Sequence, residues 1–214
     1  RRVGGGGGGG GRGGEGGGGG GRARVGEGGG ECGGVGSEGG VGLGGTRRGG
    51  EGGGGGWLVT ALDDLSRGRE SNVPRGARFI KADIRSSEAR TELAKGKYDV
   101  LCHHAAQIDV RVSVDRPSLD ADINLVGFIN LLEGAGEGGV GRVVFASSGG
   151  VVYGDPDVTP TPETAPKLPI SPYGVSKLSG EHYLRVIGQL RGFEGIALRY
   201  SNVFGPPQDP SSEA

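Results

Sequence analysis

Short apolar runs recur along residues 57–200, and each run ends at one or more polar residues. The runs lack the inward–outward alternation of a sheet that faces water on one side, which indicates strands buried on both faces. Strands of that kind are typical of parallel sheets. The predicted strands are Trp57–Leu62, Ala77–Ala82, Tyr98–Ala106, Gly141–Ala146 and Ile196–Tyr200.

Segments with apolar residues at helical spacing lie between these runs. The predicted helices are Ser86–Ala94, Pro117–Glu133 and Tyr173–Arg191, and five prolines between residues 156 and 169 predict an irregular loop before the last of them. Because strands alternate with helices, we predict an α/β fold built on a doubly wound parallel sheet of the Rossmann-like type.

The first 56 residues differ from the rest in composition. Of the 53 glycines in the chain, 35 lie in residues 1–56, among isolated charged residues. Ordering glycine costs more backbone entropy than ordering any other residue, and this segment has few apolar side chains to bury. We therefore expect a low-complexity, low-order segment over residues 1–56 and one domain over residues 57–214.

Charge and cysteine content exclude several classes of protein. With 24 basic and 25 acidic residues and no basic run, the chain does not suit nucleic acid or a membrane surface as its partner. Cys32 and Cys102 make no disulfide framework, which favours a reduced, cytoplasmic protein. The three histidines have no acid at metal-ligand spacing, so we predict no metal site; they are His103, His104 and His182.

Polar residues cluster where the predicted strands end, and ligands of doubly wound sheets bind beyond that edge. A carboxylate after the second strand of a nucleotide-binding half accepts hydrogen bonds from an adenosine ribose, so Asp63 is a candidate cofactor ligand. It would favour NAD over NADP, although Arg67 and Arg69 act against that preference. The alternative interpretation is that Asp63 or Asp64 caps a turn.

Tyr173 and Lys177 lie four residues apart on a predicted helix and therefore share one face. An adjacent ammonium stabilises tyrosinate, which predicts a lowered pKa for the Tyr173 phenol and a role as a general base. Ser148, just past a buried strand, would hydrogen-bond a substrate hydroxyl. Together the three suit carbonyl–alcohol redox chemistry; the alternative is an exposed helix pair and an ordinary turn serine.

Seven segments carry a family resemblance. They are Leu62–Gly68, Ala82–Ile84, His103–Gln107, Asn124–Gly127, Phe145–Gly154, Ser171–Lys177 and Leu198–Pro206. In this order they resemble the NAD-dependent sugar-nucleotide epimerase/dehydratase group of the extended short-chain dehydrogenase/reductases, and within it the UDP-glucose 4-epimerases. The resemblance implies NAD as cofactor, a nucleotide-sugar substrate such as a UDP-sugar, and a homodimer formed through the helices at Pro117–Glu133 and Tyr173–Arg191.

The resemblance also implies roles for individual residues. The implied NAD contacts are Asp63 and Asp64 at the adenosine ribose, Asp83 and Ile84 at the adenine, His104, Ala105, Ala106 and Gln107 along the pyrophosphate and nicotinamide, Asn124 nearby, and Lys177 at the nicotinamide ribose. Ser148 and Asn202 would contact the sugar nucleotide. Tyr173 would take the proton of the C4 hydroxyl as hydride passes to NAD, and the 4-keto intermediate would take the hydride back on its other face.

Two departures from the family pattern occur around the serines. Ser148 is followed by Gly149-Gly150, where the dehydratases carry an acid pair, so loss of water is disfavoured. The same loop is one residue longer than in the typical epimerase, which leaves Ser147 and Ser148 as alternatives for the substrate contact. Counting along the strand from Phe145 favours Ser148.

The family opens with a strand, a glycine-rich turn and a helix that receives the pyrophosphate. Family spacing places that turn at residues 39–45, with Gly39, Gly42 and Gly45 as cofactor contacts. The helix that should follow contains many glycines, each of which costs about 0.8–1 kcal/mol relative to alanine. We therefore hypothesise that residues 1–56 are a corrupted or alternative reading of the ancestral strand, turn and helix.

The chain ends at residue 214, where the family continues into a substrate domain, so we expect an impaired epimerase fragment. Two alternatives stay open. One is a related NAD-dependent decarboxylase or reductase acting on sugar nucleotides. The other is a non-catalytic nucleotide-binding module, which the glycine-rich start favours.

Overall fold

The computed structural model describes residues 24–25, 30–31, 42–47, 57–73 and 76–201. The chain divides into two compact units, residues 1–33 and residues 34–214. In the first unit, strands β1 (Arg24–Val25) and β2 (Gly30–Glu31) form an antiparallel pair. None of the helices in the described ranges is long and apolar enough to cross a membrane.

The second unit is built on one six-stranded sheet. Its strands are β3 (Gly42–Arg47), β4 (Trp57–Asp63), β5 (Arg78–Lys81), β6 (Val100–His103), β7 (Arg142–Ser148) and β8 (Glu194–Tyr200). They lie in the order β5-β4-β3-β6-β7-β8. Strand β4 pairs in parallel with β5, and β6, β7 and β8 pair in parallel with one another. The five strands expected from the apolar runs are therefore confirmed, and the fold is Rossmann-like.

Strand β3 runs antiparallel to both of its neighbours, β4 and β6. The expected phosphate-binding turn is therefore wrong at Gly42 and Gly45, which lie inside a central strand, whereas Gly39 lies outside the described residues. The physical reason is that glycine has no side-chain preference to oppose an extended backbone. A strand at this position supplies hydrogen-bond partners to the facing edges of β4 and β6, which burial would otherwise leave unsatisfied. Regular structure also begins before Trp57, where it was expected to start.

Helices lie between the parallel strands, as expected. They are α1 (Ser87–Ala94), α2 (Val110–Asp115), α3 (Pro117–Ala121), α4 (Gly127–Glu137), α5 (Gly149–Val152) and α6 (Pro172–Arg191), and a π-helical segment at Asp122–Val126 joins α3 to α4. Ser171 caps α6 by accepting a hydrogen bond from the Gly174 amide, and Gly192 ends the helix at φ 84°. The predicted helices are confirmed within a few residues.

The main core lies between the sheet and helices α1, α4 and α6. Phe128, Leu132 and Phe145 are fully buried there. Helix α6 approaches β7 closely because residue 180 is glycine: a Cβ at Gly180 would lie 2.9 Å from Cζ of Phe145. This close approach brings the first turns of α6 against the carboxyl end of β7.

Candidate active site

A cleft of about 230 Å³ lies beyond the carboxyl ends of the parallel strands. Six of the predicted cofactor ligands line it: Asp63, Asp64, Asp83, Ile84, Ala105 and Ala106. They come from the ends of β4 and β5 and from the loop after β6, segments that lie far apart in the sequence. The sheet topology therefore brings these residues to one edge, where doubly wound folds bind their ligands.

Asp63 ends β4 and is buried at 4% relative exposure. Its Oδ1 accepts a hydrogen bond from the Leu65 amide at 2.6 Å, whereas its buried Oδ2 has no partner among the described residues. Burial raises the pKa of the Asp63 carboxyl, and the Leu65 amide opposes this shift. A buried acceptor without a donor is costly, so this oxygen fits a ligand that brings a hydroxyl group.

The Asp63 carboxylate lies close to the backbone of Gly68, which leaves no room there for a side chain. A Cβ at position 68 would lie 2.7 Å from Oδ2 and 2.9 Å from Oδ1 of Asp63. Because Asp63 is short and tied to the Leu65 amide, the carboxylate has little room to move aside. Residue 68 was not among the predicted site residues, since a glycine inside a polar turn carries no chemical signal of its own.

At the end of β5, Asp83 is paired with Arg85. Arg85 Nε lies 3.0 Å from each carboxylate oxygen of Asp83, and its Nη1 donates to Asp122 at 2.6 Å. Hydrogen bonds from Arg85 lower the pKa of Asp83, although partial burial opposes them. Asp83 is therefore an anion at neutral pH, held at the rim of the cleft.

Asn124 fixes the loop that follows β6. Its Oδ1 accepts from the Gln107 amide at 2.8 Å and its Nδ2 donates to the Gln107 carbonyl at 2.8 Å. Asn124 is buried in the π-helical segment, a type of helix that recurs at functional sites. Its side chain thus orients the backbone next to Ala105 and Ala106, and it does not line the cleft.

The histidines at the end of β6 are neutral at neutral pH. Burial lowers the pKa of both His103 and His104, and the charge of Lys177 adds to the effect. The His103 ring stacks on Phe128 with their centroids 4.5 Å apart, and neither ring nitrogen has a partner among the described residues. His104 is half-buried and does not line the cleft.

Lys177 is buried at 4% relative exposure on the face of α6 that contacts β7. Its Nζ donates to the Ala146 carbonyl at 2.9 Å and lies 5.7 Å from the ring centroid of Tyr173 and 5.0 Å from that of Phe145. The interpretation of Tyr173 and Lys177 as an exposed helix pair is therefore wrong. An ammonium group and a phenol face each other beside the carboxyl end of a central parallel strand.

The protonation of this pair differs from what the spacing predicts. Burial raises the pKa of Tyr173 to about 12, and the charge of Asp120 adds to that effect. Burial also lowers the pKa of Lys177 to about 8, against the opposing charge of Asp120. The expected lowering of the Tyr173 pKa is thus wrong, because desolvation and the charge of Asp120 both raise it.

The two serines at the end of β7 have different surroundings. The buried Ser147 donates its hydroxyl hydrogen bond to Glu181 Oε1 at 2.6 Å. Successive strand residues point to opposite faces, so the half-buried Ser148 lies on the other face from this contact. Because Ser147 is already engaged, Ser148 is the better candidate for a substrate hydrogen bond.

A polar network joins β8 and α6 next to these serines. Arg199 donates to Glu181 through Nε at 2.8 Å and Nη2 at 2.6 Å, and through Nη1 to the Tyr153 hydroxyl at 2.7 Å. Burial raises the pKa of Glu181, but the hydrogen bonds from Arg199 and Ser147 and the charge of Arg199 lower it overall. This network fixes α6 against the end of β7, which keeps Lys177 close to Ala146.

Comparison with known proteins identifies the family of this chain. Residues 39–214 match the model of the NAD dependent epimerase/dehydratase family. The chain belongs to this family. It is 44% identical over 161 residues to the UDP-glucose 4-epimerase of Mycolicibacterium smegmatis, a match that covers 73% of this chain and 51% of that protein.

Solved structures of epimerases share the fold. The UDP-glucose 4-epimerase of Thermotoga maritima, solved with UDP-glucose, superposes with a TM-score of 0.69 at 40% identity over 72% of this chain and 51% of that one. That of Thermus thermophilus, solved with NAD, gives 0.68 at 44% identity over 72% and 50%. The chain thus spans about half the length of the epimerases it matches.

Some site residues of this epimerase/dehydratase chain were not found from sequence. Asp120, Glu181 and Arg199 act through contacts between segments that lie far apart along the chain, such as the 2.7 Å hydrogen bond between Ser176 and Asp120. No periodicity signals such a contact. The predicted substrate contact Asn202 lies outside the described residues, so its role stays a prediction.

Proposed function

We propose that this chain is the cofactor-binding part of a UDP-glucose 4-epimerase, which inverts C4 of a UDP-sugar through a 4-keto intermediate. The observation that carries the proposal is the buried Lys177 facing Tyr173, at the same sheet edge as the unpartnered oxygen of Asp63. Epimerases of similar sequence, solved with NAD or with UDP-glucose, support it.

The residues of the cleft fit NAD. The unpartnered oxygen of Asp63 would accept hydrogen bonds from the adenosine ribose diol, and Asp83 and Ile84 would contact the adenine. Small residues at 105 and 106, on the loop fixed by Asn124, leave room for the pyrophosphate. Lys177 would bind the nicotinamide ribose. NAD supplies a hydride acceptor that returns the hydride within the same turnover.

Tyr173 would remove the proton of the C4 hydroxyl while Ser148 holds that hydroxyl in place. Burial raises the pKa of Tyr173 to about 12, so the side chain is a phenol at neutral pH and must first release its own proton to solvent before it can act as the base. Lys177, with a pKa of about 8, is still mainly an ammonium at neutral pH and stabilises the tyrosinate as it forms. Lys177 would share this task with the positive charge that oxidised NAD would bring to the site.

Epimerisation is favoured over dehydration by the residues after β7. Helix α5 begins with Gly149 and Gly150, so this turn provides no carboxyl group to protonate a leaving hydroxyl. The 4-keto intermediate would therefore be reduced again. Return of hydride to the opposite face gives the C4 epimer.

The partners that we propose are a UDP-sugar and a second copy of the chain. Val126 at the end of the π-helical segment and Val186 and Leu190 on α6 are exposed, Leu190 at 77%. Such residues are suited to cover one another in a helical dimer interface. Sedimentation at micromolar concentration should then give twice the mass of the protein, and a single-copy mass would contradict the dimer.

The protein expressed from its full gene is expected to convert UDP-galactose to UDP-glucose without net consumption of NAD. The products can be separated by anion-exchange chromatography and the bound cofactor detected by NADH fluorescence. Conversion that depends on bound NAD supports the proposal. Bound NAD without conversion of any UDP-hexose would instead favour a non-catalytic nucleotide-binding module.

A further inference from the structure

Asp120 is fully buried in α3, beneath the active-site end of α6. Its Oδ1 accepts hydrogen bonds from Asn124 Nδ2 at 2.8 Å and Gln107 Nε2 at 3.1 Å, and its Oδ2 accepts from Ser176 Oγ at 2.7 Å. In the part of the chain that the structure describes, all of its donors are neutral. A buried carboxylate with neutral partners is costly and calls for a compensating role.

The partners of Asp120 belong to the two halves of the candidate active site. Gln107 lies on the loop that lines the cleft. Ser176 lies on α6, three residues after Tyr173 and directly before Lys177. One carboxylate therefore ties the cofactor side of the site to the helix that carries the proton-transfer pair.

Asp120 also supplies the negative charge that acts on this pair. Its charge raises the pKa of Lys177 and that of Tyr173. The other titratable groups that face this region are His103 and His104 at the end of β6, which are neutral, and the Glu181–Arg199 ion pair between α6 and β8. Among the described residues, Asp120 is thus the carboxylate without a basic hydrogen-bond partner that acts on both Tyr173 and Lys177.

We propose that Asp120 is a positioning residue of the epimerase reaction, which locks the start of α6 to the Gln107 loop and holds Lys177 as an ammonium and Tyr173 as a phenol until ligands bind. This inference rests on the proposed function. Loss of the Asp120 charge would leave Lys177, beside Phe145, with the Ala146 carbonyl as acceptor but without this negative charge. Loss of the Ser176 contact would free the helix start while the charge stays.

Asp120→Asn separates charge from hydrogen bonding. The new side chain keeps an oxygen for Asn124 and Gln107, and its amide can donate to Ser176 Oγ after the hydroxyl rotates. The protein expressed from its full gene is labelled with ¹³C at the ζ carbon of its tyrosines, of which this chain has five, and Tyr173→Phe assigns the signal. We expect Tyr173 to titrate about one pH unit lower in Asp120→Asn. An unchanged titration would overturn the charge role.

Ser176→Ala tests the positioning role by removing the hydrogen bond and keeping the carboxylate. We expect the Tyr173 titration to stay in place and kcat to fall about fivefold to tenfold with little change in KM, because the reacting groups lose alignment. A wild-type kcat would overturn the positioning role. Asp115→Asn, an exposed carboxylate on α2, is the matched control and should change neither measurement.

Asp120→Asn and Ser176→Ala test the role of Asp120, whereas Tyr173→Phe tests the proposed function, so a failure of one can be told from a failure of the other. If Asp120→Asn does not fold, the kcat of Ser176→Ala still decides whether the contact positions α6. If Tyr173→Phe is inactive while the Asp120→Asn titration is unchanged, the function stands and the charge role of Asp120 fails. If Tyr173→Phe is fully active, the proposed function fails, and the NMR titration still reports on Asp120.

Discussion

Tyr173→Phe is expected to lower kcat for UDP-galactose epimerisation by about a hundredfold or more, the usual contribution of a positioned general acid–base group. The phenyl ring keeps the packing beside Lys177, whose Nζ lies 5.7 Å from the Tyr173 ring centroid. In the described part of the chain the Tyr173 hydroxyl takes part in no hydrogen bond, so its removal should cost little stability. Initial rates at saturating substrate measure the effect.

Tyr183→Phe is the matched control for this change. Tyr183 lies on the same helix with 43% exposure, so the loss of its hydroxyl should leave kcat within twofold of the wild type. NAD content and melting temperature should be the same in both variants. If Tyr173→Phe kept more than a tenth of the wild-type kcat, Tyr173 could not be the catalytic base.

Asp63→Asn is expected to weaken NAD binding by about tenfold to a hundredfold and at the same time to stabilise the protein without NAD. The affinity falls because the charged acceptor for the ribose diol is lost, and hydrogen bonds to charged groups contribute about 1.5–3 kcal/mol. The stability rises because a buried carboxylate with one unpartnered oxygen is replaced by a neutral amide. We expect a melting temperature about 2–4 °C higher without NAD.

The stability gain of Asp63→Asn should depend on pH in a defined direction. The pKa of Asp63 is raised above its ordinary value of 3.8. Between the unfolded and the folded pKa of Asp63, the folded wild type therefore binds more protons than the unfolded chain. Its stability falls as pH rises through this range. The stability of Asp63→Asn relative to the wild type should rise with pH over this range, and the difference should vanish at lower pH. Calorimetric titration with NAD and thermal unfolding at several pH values test both effects.

The exposed Asp157→Asn provides the control, because it changes the net charge by the same amount outside the cleft. It should alter neither the NAD affinity nor the pH dependence of stability. An Asp63→Asn variant that binds NAD as tightly as the wild type would show that Asp63 does not hold the ribose. A variant less stable than the wild type at neutral pH would show that the unpartnered oxygen carries no penalty.

The sequence predicts the parallel strands and the long helices because each has its own pattern of apolar residues, a continuous run in a strand and helical spacing in a helix. The apolar run at Trp57–Leu62 becomes β4, and the helical spacing after Pro172 becomes α6. Strand β3 could not be predicted in this way. The four residues that pair with both neighbours, Gly42–Gly45, include one apolar residue in the sequence. The conformation and direction of β3 therefore depend on its backbone hydrogen bonds with β4 and β6.

The candidate site was predictable where residues stand at strand ends or at helical spacing, as Asp63 and Lys177 do. It was not predictable where a residue's properties depend on how deeply it is buried or on partners distant in the sequence. The Tyr173 pKa is raised by burial, which spacing on a helix does not reveal. Asp120 reaches Ser176 across 56 residues of sequence, so only the folded chain identifies it.

The most direct test of the account follows deuterium placed at C4 of UDP-galactose. If the hydrogen at C4 leaves as hydride and returns from the same cofactor, UDP-glucose formed by the protein in ordinary water keeps the label at C4. Mass spectrometry and NMR of the product measure its retention. We predict nearly complete retention, and exchange of the label with solvent would contradict a transfer through NAD with Tyr173 as the base.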